Sequence, residues 1–152
     1  MDIHHDTGYS VTLTARAFMR VAEARLRPLG LGVAHVPVLV ALAEEEALTQ
    51  KEIAQRTHIE QPTAAALLQR MNSAGLIERS PDRRDRRSTR ITLSTHAHMV
   101  LPEALRLLGH ANSAAMAGLS DAEIEVLHDL LRRVLANLGT MIEGQDKDAP
   151  VR

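Results

Sequence analysis

"LTQKEIAQRTHIEQPTAAALLQRMNSAGLIERSPDRRDRRSTRITLS", residues 48–94, holds two helix starts, two alternating stretches and a dense run of arginine. Thr49 and Glu52 have the spacing of a capping box, in which the Thr49 hydroxyl accepts from the Glu52 N–H and the Glu52 carboxylate accepts from the Thr49 N–H. A short helix therefore begins here. After "THIE", Pro62 falls in a first helical turn, Ala64, Leu67, Leu68 and Met71 form one buried stripe, and Gly75 supplies the residue type that ends a helix at positive φ. Two short helices joined by a tight turn make a helix-turn-helix candidate. "LIERS" and "RITLS" then alternate apolar and polar positions, the signature of paired strands, with the arginine run as the loop between them. Helix-turn-helix followed by a hairpin is a winged helix with a basic tip.

Working outward, Val11, Ala15, Phe18, Ala22 and Leu26 recur at helical intervals, so a helix is expected from Ser10 to Arg27, broken by "RPLGLG". "VAHVPVLVALAE" reads as a second helix with Pro37 near its start. Helix returns from Thr95 to about Met116, where Pro102 is expected to bend it. Ser120 and Glu123 form a second capping box, opening a last helix to about Glu143. In that helix Ile124, Leu127, Leu131, Val134, Leu138 and Met141 repeat every three or four residues, and Val126, Leu130, Leu135 and Ile142 widen the stripe beyond what one neighbour needs. The surplus predicts a second chain on a two-fold axis, a homodimer. The fold class expected is mainly α with a minor β component. Residues 35–94 form the winged helix-turn-helix, residues 10–34 and 95–143 a helical dimerisation region, and residues 144–152 a loose tail.

Composition narrows the function. The 152 residues suffice for one domain with a real core. With no cysteine, disulfides, thiolate metal sites and cysteine redox sensing are excluded. The first residues, "MDIHHDTGYS", lack a basic segment followed by an apolar one, and no long apolar run follows, so a cytoplasmic protein is expected, without membrane contact. Net charge is only -1, yet Arg79 to Arg90 contains six arginines against Asp82 and Asp85, a local balance of +4. No nucleophile elbow, phosphate-cradling glycine loop or paired-carboxylate setting is present, so neither catalysis nor a cofactor is expected.

A basic wing beside a helix-turn-helix points to recognition of double-stranded DNA. A recognition helix reads base edges with its N-terminal outward side chains, here Gln61 and Thr63 beside Pro62, with Gln69 further along; Gln pairs with adenine and the Thr methyl packs on thymine. In the wing, Arg87 or a neighbour among Arg83, Arg84 and Arg86 suits a narrow, electronegative minor groove, and Asp85 orients Arg87 by a charge-assisted hydrogen bond.

The order of elements, with "DRRSTRITLS" (85–94), resembles the MarR family of bacterial transcriptional regulators, whose wing reads D-x-R, five residues, then L-T; Asp85, Arg87 and Leu93 match, and Ser94 replaces threonine. "LGLGVAHVPVLVAL" and "EQPTAAALLQRMNSAGLIERSPDRRDRR" resemble the family's second-helix entry and its recognition helix with wing, and the likeness runs from about Ser10 to Glu143. The resemblance implies a homodimer on palindromic operators, a repressor released by a small-molecule effector. The family often has a polar residue and an arginine where this chain has Ala65 and Ala66, which weakens direct readout, and an aspartate where Gln69 stands. The effector pocket implied lies at the seam of the first, second and fifth helices, where Arg16 and His35 are the nearest polar candidates for an anionic or aromatic ligand.

Two alternatives remain open. A metal-responsive regulator would use some of the eight histidines, although His96 and His98 stand about 200° apart on a helix and His110 and His128 lack partners at i+3 or i+4, so no metal site is assigned. A winged-helix protein-interaction module with weak DNA binding is motivated by Ala65 and Ala66.

Overall fold

The computed structural model describes residues 6–82 and 88–148, with side chains described as far as Ile142. Helix α1 spans Thr7–Leu26. It begins ahead of Ser10 because Asp6 is the N-cap, its Oδ1 accepting the Tyr9 N–H at 2.8 Å. A single 3-10 turn, Arg27–Leu29, follows, and Gly30 leaves it at φ 69°, a conformation glycine adopts without penalty. Helices α2 (His35–Glu44), α3 (Gln50–Thr57) and α4 (Gln61–Ser73) come next, with Pro37 in the first turn of α2 and Pro62 in that of α4. Strands β1 (Ile77–Pro81) and β2 (Thr89–Leu93) pair antiparallel, reaching one residue further toward the tip than the alternation predicts. Helix α5 covers Thr95–Ala115 and runs through Pro102 as one helix; α6 covers Asp121–Asp148.

Both capping boxes form. Thr49 Oγ1 accepts from the Glu52 N–H at 3.3 Å while Glu52 Oε2 accepts from the Thr49 N–H at 2.7 Å. Ser120 and Glu123 repeat the arrangement at 3.4 and 2.7 Å. The turn between α3 and α4 is made by His58, the non-glycine residue at positive φ (53°) among the described residues. Gly75, at φ 70°, ends α4, with the Leu76 N–H returning to Met71 O at 2.9 Å. Ser94 then joins two elements: its hydroxyl donates to Gly75 O at 2.7 Å and accepts from the Ala97 N–H at 3.1 Å, capping α5.

Backbone contacts divide the chain into two units, Met1–Ala111 and Asn112–Arg152. The buried core lies wholly in the first. Leu26, Leu39, Ile53, Leu68, Met71, Leu76 and Ile91 are its largest fully enclosed side chains, drawn from α1 to α4 and the hairpin. The predicted stripe of α4 is the buried face, with Ala64, Leu67, Leu68 and Met71 all enclosed. A further strand-like pairing ties the hairpin to the helices, since Leu48, just before α3, exchanges two backbone hydrogen bonds with Ile91 at 3.0 and 2.8 Å. Ile91 thus pairs with Arg79 on one side and Leu48 on the other.

The second unit is built differently. No residue of α6 whose side chain is described is buried, and Val126, Leu130, Leu131, Val134, Leu135, Leu138, Met141 and Ile142 are exposed. Helix α6 also corrects the expected tail: it continues through residues 144–148, and residues 149–152 lie outside the described residues. Gly144 costs only about 1 kcal/mol inside a helix, and the next proline is Pro150, so nothing local stops the helix at Glu143.

Candidate nucleic-acid interface

Burying the stripe of α4 fixes which of its side chains face outward. Gln61, Pro62, Thr63, Ala66, Gln69 and Arg70 are exposed, and Ala65 is half-buried at the edge of the core face. The polar candidates therefore share the free side of a helix whose other side is anchored. Proline near the start and the capped α3 before it leave the N-terminus of α4 open, where N–H groups and the helix dipole favour an anion.

A groove of about 420 Å³ runs between the helix-turn-helix and the wing. Thr49, Gln50 and Lys51 from the start of α3 and Gln61 from the start of α4 form one wall; Arg79 on β1 with Ser88, Thr89 and Ile91 form the other. Its lining contains two cations, several neutral hydrogen-bonding groups and no acid. Such a surface suits a polyanion that runs past both helix starts. Lys51 and Arg79 are the functional candidates that sequence reasoning missed. Their partnership depends on the hairpin folding back over α3, which no local pattern reveals.

The predicted wing probes Arg83, Arg84, Asp85, Arg86 and Arg87 lie outside the described residues. At the base of that segment Asp82 donates its N–H to Ser88 O at 3.0 Å, closing the hairpin. Arg90 turns inward: Nε donates to Asp82 Oδ2 at 2.7 Å, and Nη1 to Ala47 O and Glu52 Oε2 at 3.2 and 3.3 Å. Hydrogen bonds from the Thr49 backbone and hydroxyl hold the Glu52 carboxyl below its ordinary range, with the Arg90 and Arg56 charges acting the same way.

Among the described residues, the two effector candidates are not joined by any hydrogen bond or ion pair. Arg16 is exposed on α1. His35 opens α2, half-buried, with Nδ1 accepting the Gly32 N–H at 3.0 Å. Burial lowers its pKa first, and the Arg70 charge lowers it further, opposed by Glu23. Glu23 also accepts the Val33 N–H at 2.9 Å, so His35 and Glu23 both serve the turn between α1 and α2. Among the described residues no three histidine, aspartate or glutamate side chains gather as a metal site, and no helix is long and apolar enough to cross a membrane.

Comparison with known proteins agrees with this geometry. Residues 29–88 match the model of the MarR family. An uncharacterised HTH-type transcriptional regulator of Bacillus subtilis (strain 168), YybA, is 23% identical over 128 residues, covering 84% of this chain and 85% of that protein. The crystal structure of the transcriptional regulator SlyA superposes with a TM-score of 0.81 at 28% identity, covering 91% of this chain and 97% of SlyA. The C80S mutant of MarR from E. coli, solved with operator DNA, superposes with a TM-score of 0.77 at 23% identity over 84% of this chain and 92% of its own. With its capped helix-turn-helix, paired hairpin strands and apolar outer helix, the chain has the winged-helix fold of these regulators and over residues 29–88 is similar to the MarR family.

Proposed function

We propose that the protein is a sequence-specific repressor that binds a palindromic operator as a homodimer, with α4 in the major groove and Arg87, or a neighbour among Arg83, Arg84 and Arg86, at the minor groove. The observation that carries this reading is the acid-free groove, where Lys51 and Arg79 stand with the capped start of α3 and the open start of α4 beside the outward Gln61 and Thr63. Phosphates passing along the groove would be neutralised by the two cations, which fixes register without reading sequence. Gln61 and Thr63 would then reach base edges, with Gln69 a turn or more behind. The similar MarR mutant was solved with operator DNA, which favours DNA as the partner. A two-fold dimer would set half-sites about one helical turn apart, roughly 34 Å.

The test is fluorescence anisotropy with DNA from upstream of the protein's own gene against a scrambled duplex, titrated in salt. Wild type should prefer its own DNA with a steep salt slope. Lys51→Ala should weaken both duplexes alike and flatten the slope by about 0.9 for each phosphate it no longer neutralises. Arg87→Ala should weaken the specific duplex more than the scrambled one. Weak, salt-insensitive binding of every duplex would instead favour a protein-interaction module.

The effector reading is that an anionic aromatic molecule releases the operator through Arg16, whose guanidinium stands exposed on α1. Titration with a phenolic acid should show weaker binding to Arg16→Ala than to wild type. Equal affinities would remove Arg16 from the site.

A further inference from the structure

The arginine run directs attention outward to phosphates, but Arg90 is committed to the protein. Its guanidinium reaches acceptors on three separate pieces of chain: Asp82 where the wing narrows, Glu52 in the first turn of α3, and the Ala47 carbonyl in the connection from α2. The Asp82 side chain is only 11% exposed, so this carboxylate lies almost enclosed at the base of a surface that otherwise attracts anions. An acid there would oppose DNA unless neutralised, and Arg90 neutralises it at 2.7 Å.

The backbone shows why such a contact is needed. Ile77, Ile91 and Leu93 pack the inner end of the hairpin into the core, and among the described residues one two-bond bridge, Leu48 with Ile91, ties its backbone to the start of α3, so the outer end of the sheet has no such backbone tie to the helices. Arg90, next to Ile91 on β2, adds contacts beyond that bridge, toward the wing through Asp82 and toward the α3 cap through Glu52. Because the Asp82 N–H donates to Ser88 O, the contact acts at the outer end of the paired strands. A planar guanidinium donates in several fixed directions at once, which a lysine ammonium cannot reproduce.

We propose that Arg90 is a positioning residue for DNA binding: it latches the outer end of the two-stranded sheet, at Asp82, to the cap of α3, and does not itself neutralise a phosphate. The inference rests on the DNA-binding reading above. The contrast between a latch and a phosphate contact appears in the sign of a neighbouring change. If Arg90 gripped a phosphate, Asp82→Asn would free it and remove a repelling charge, so binding would tighten. If Arg90 is a latch, Asp82→Asn weakens binding although it makes the protein more positive.

The experiment measures anisotropy on the upstream duplex for wild type, Arg90→Ala, Arg90→Lys, Asp82→Asn and the Arg90→Ala/Asp82→Asn pair, with amide hydrogen exchange at Leu48 and Ile91. Arg90→Ala should weaken specific binding on the order of tenfold, the size of one or two charge-assisted hydrogen bonds. Arg90→Lys should fail to restore it, and Asp82→Asn should weaken it by less. The pair should bind no worse than Arg90→Ala alone, since the Arg90–Asp82 contact is already lost in Arg90→Ala. The Leu48 and Ile91 amides should exchange faster in Arg90→Ala. Tighter binding by Asp82→Asn, or unchanged affinity and exchange in Arg90→Ala, overturns the latch while the DNA-binding reading stands. Wild type without salt-dependent affinity for any duplex overturns that reading and the latch with it. Should Arg90→Ala fail to fold, the sign of the Asp82→Asn and Arg90→Lys effects still decides the case.

Discussion

Leu135→Glu is expected to convert the proposed homodimer to a monomer, read by sedimentation or by light scattering across a concentration series. Leu135 is 70% exposed on α6, and seven further large apolar side chains of that helix, from Val126 to Ile142, are exposed with it. A helix with this much free apolar surface has not finished burying its face, and enclosing one leucine stabilises by about 1.5–3 kcal/mol. At a two-fold interface each substitution occurs twice, so two carboxylates lose hydration where two leucines gained from losing it. A loss of about 4 kcal/mol or more raises the dimer dissociation constant roughly a thousandfold. The buried core lies between Leu26 and Ala104, away from the substitution in sequence, so the secondary structure of the first unit should persist. Wild type should melt at a temperature that rises with protein concentration, and Leu135→Glu should lose that dependence. A variant that remains dimeric would move the interface off α6.

What could be read beforehand follows the range of the forces involved. The capping boxes at Thr49 and Ser120, the turn at Gly75 and the stripe of α4 are set by residues within four positions of one another, and each formed where the pattern predicts. Helix ends were less legible: Asp6 extends α1 backward as a cap, and α6 passes Glu143 because no breaker intervenes. Ser94 reads as a departure from the family threonine, yet it keeps the hydroxyl that joins Gly75 to α5. On α4 the outward placing of Gln61, Thr63 and Gln69 was legible, since it follows from the buried stripe opposite. Arg90 finds partners 8, 38 and 43 positions away, so its place in an arginine run conceals its direction. Lys51 and Arg79 meet one groove only after β1 and β2 fold over α3.

Two neighbouring positions on α4 should separate folding from recognition. Leu68 is fully buried and Gln69, the next residue, is exposed, because a helix turns about 100° per residue and the core claims only one side. Leu68→Ala removes packing from a fully buried position of the core cluster and leaves a cavity that its surroundings can close only in part, which costs about 2–5 kcal/mol. Against a domain stability of about 5–15 kcal/mol that is a large share, and it should appear in urea titration as a lower midpoint with an unchanged slope. Gln69→Ala deletes a solvated amide and should change stability by less than about 0.5 kcal/mol. Their effects on DNA should invert. Below its denaturation midpoint, Leu68→Ala keeps every outward side chain of α4 and should retain its preference for one duplex over a scrambled one, with affinity reduced by the unfolded fraction. Gln69→Ala, if it reaches a base, should lose up to about 1–3 kcal/mol of that preference while folding normally. Loss of preference in Leu68→Ala at full folding would mean that the buried stripe tunes the angle at which α4 presents Gln61 and Thr63, and recognition would then depend on the core as well as on the exposed face.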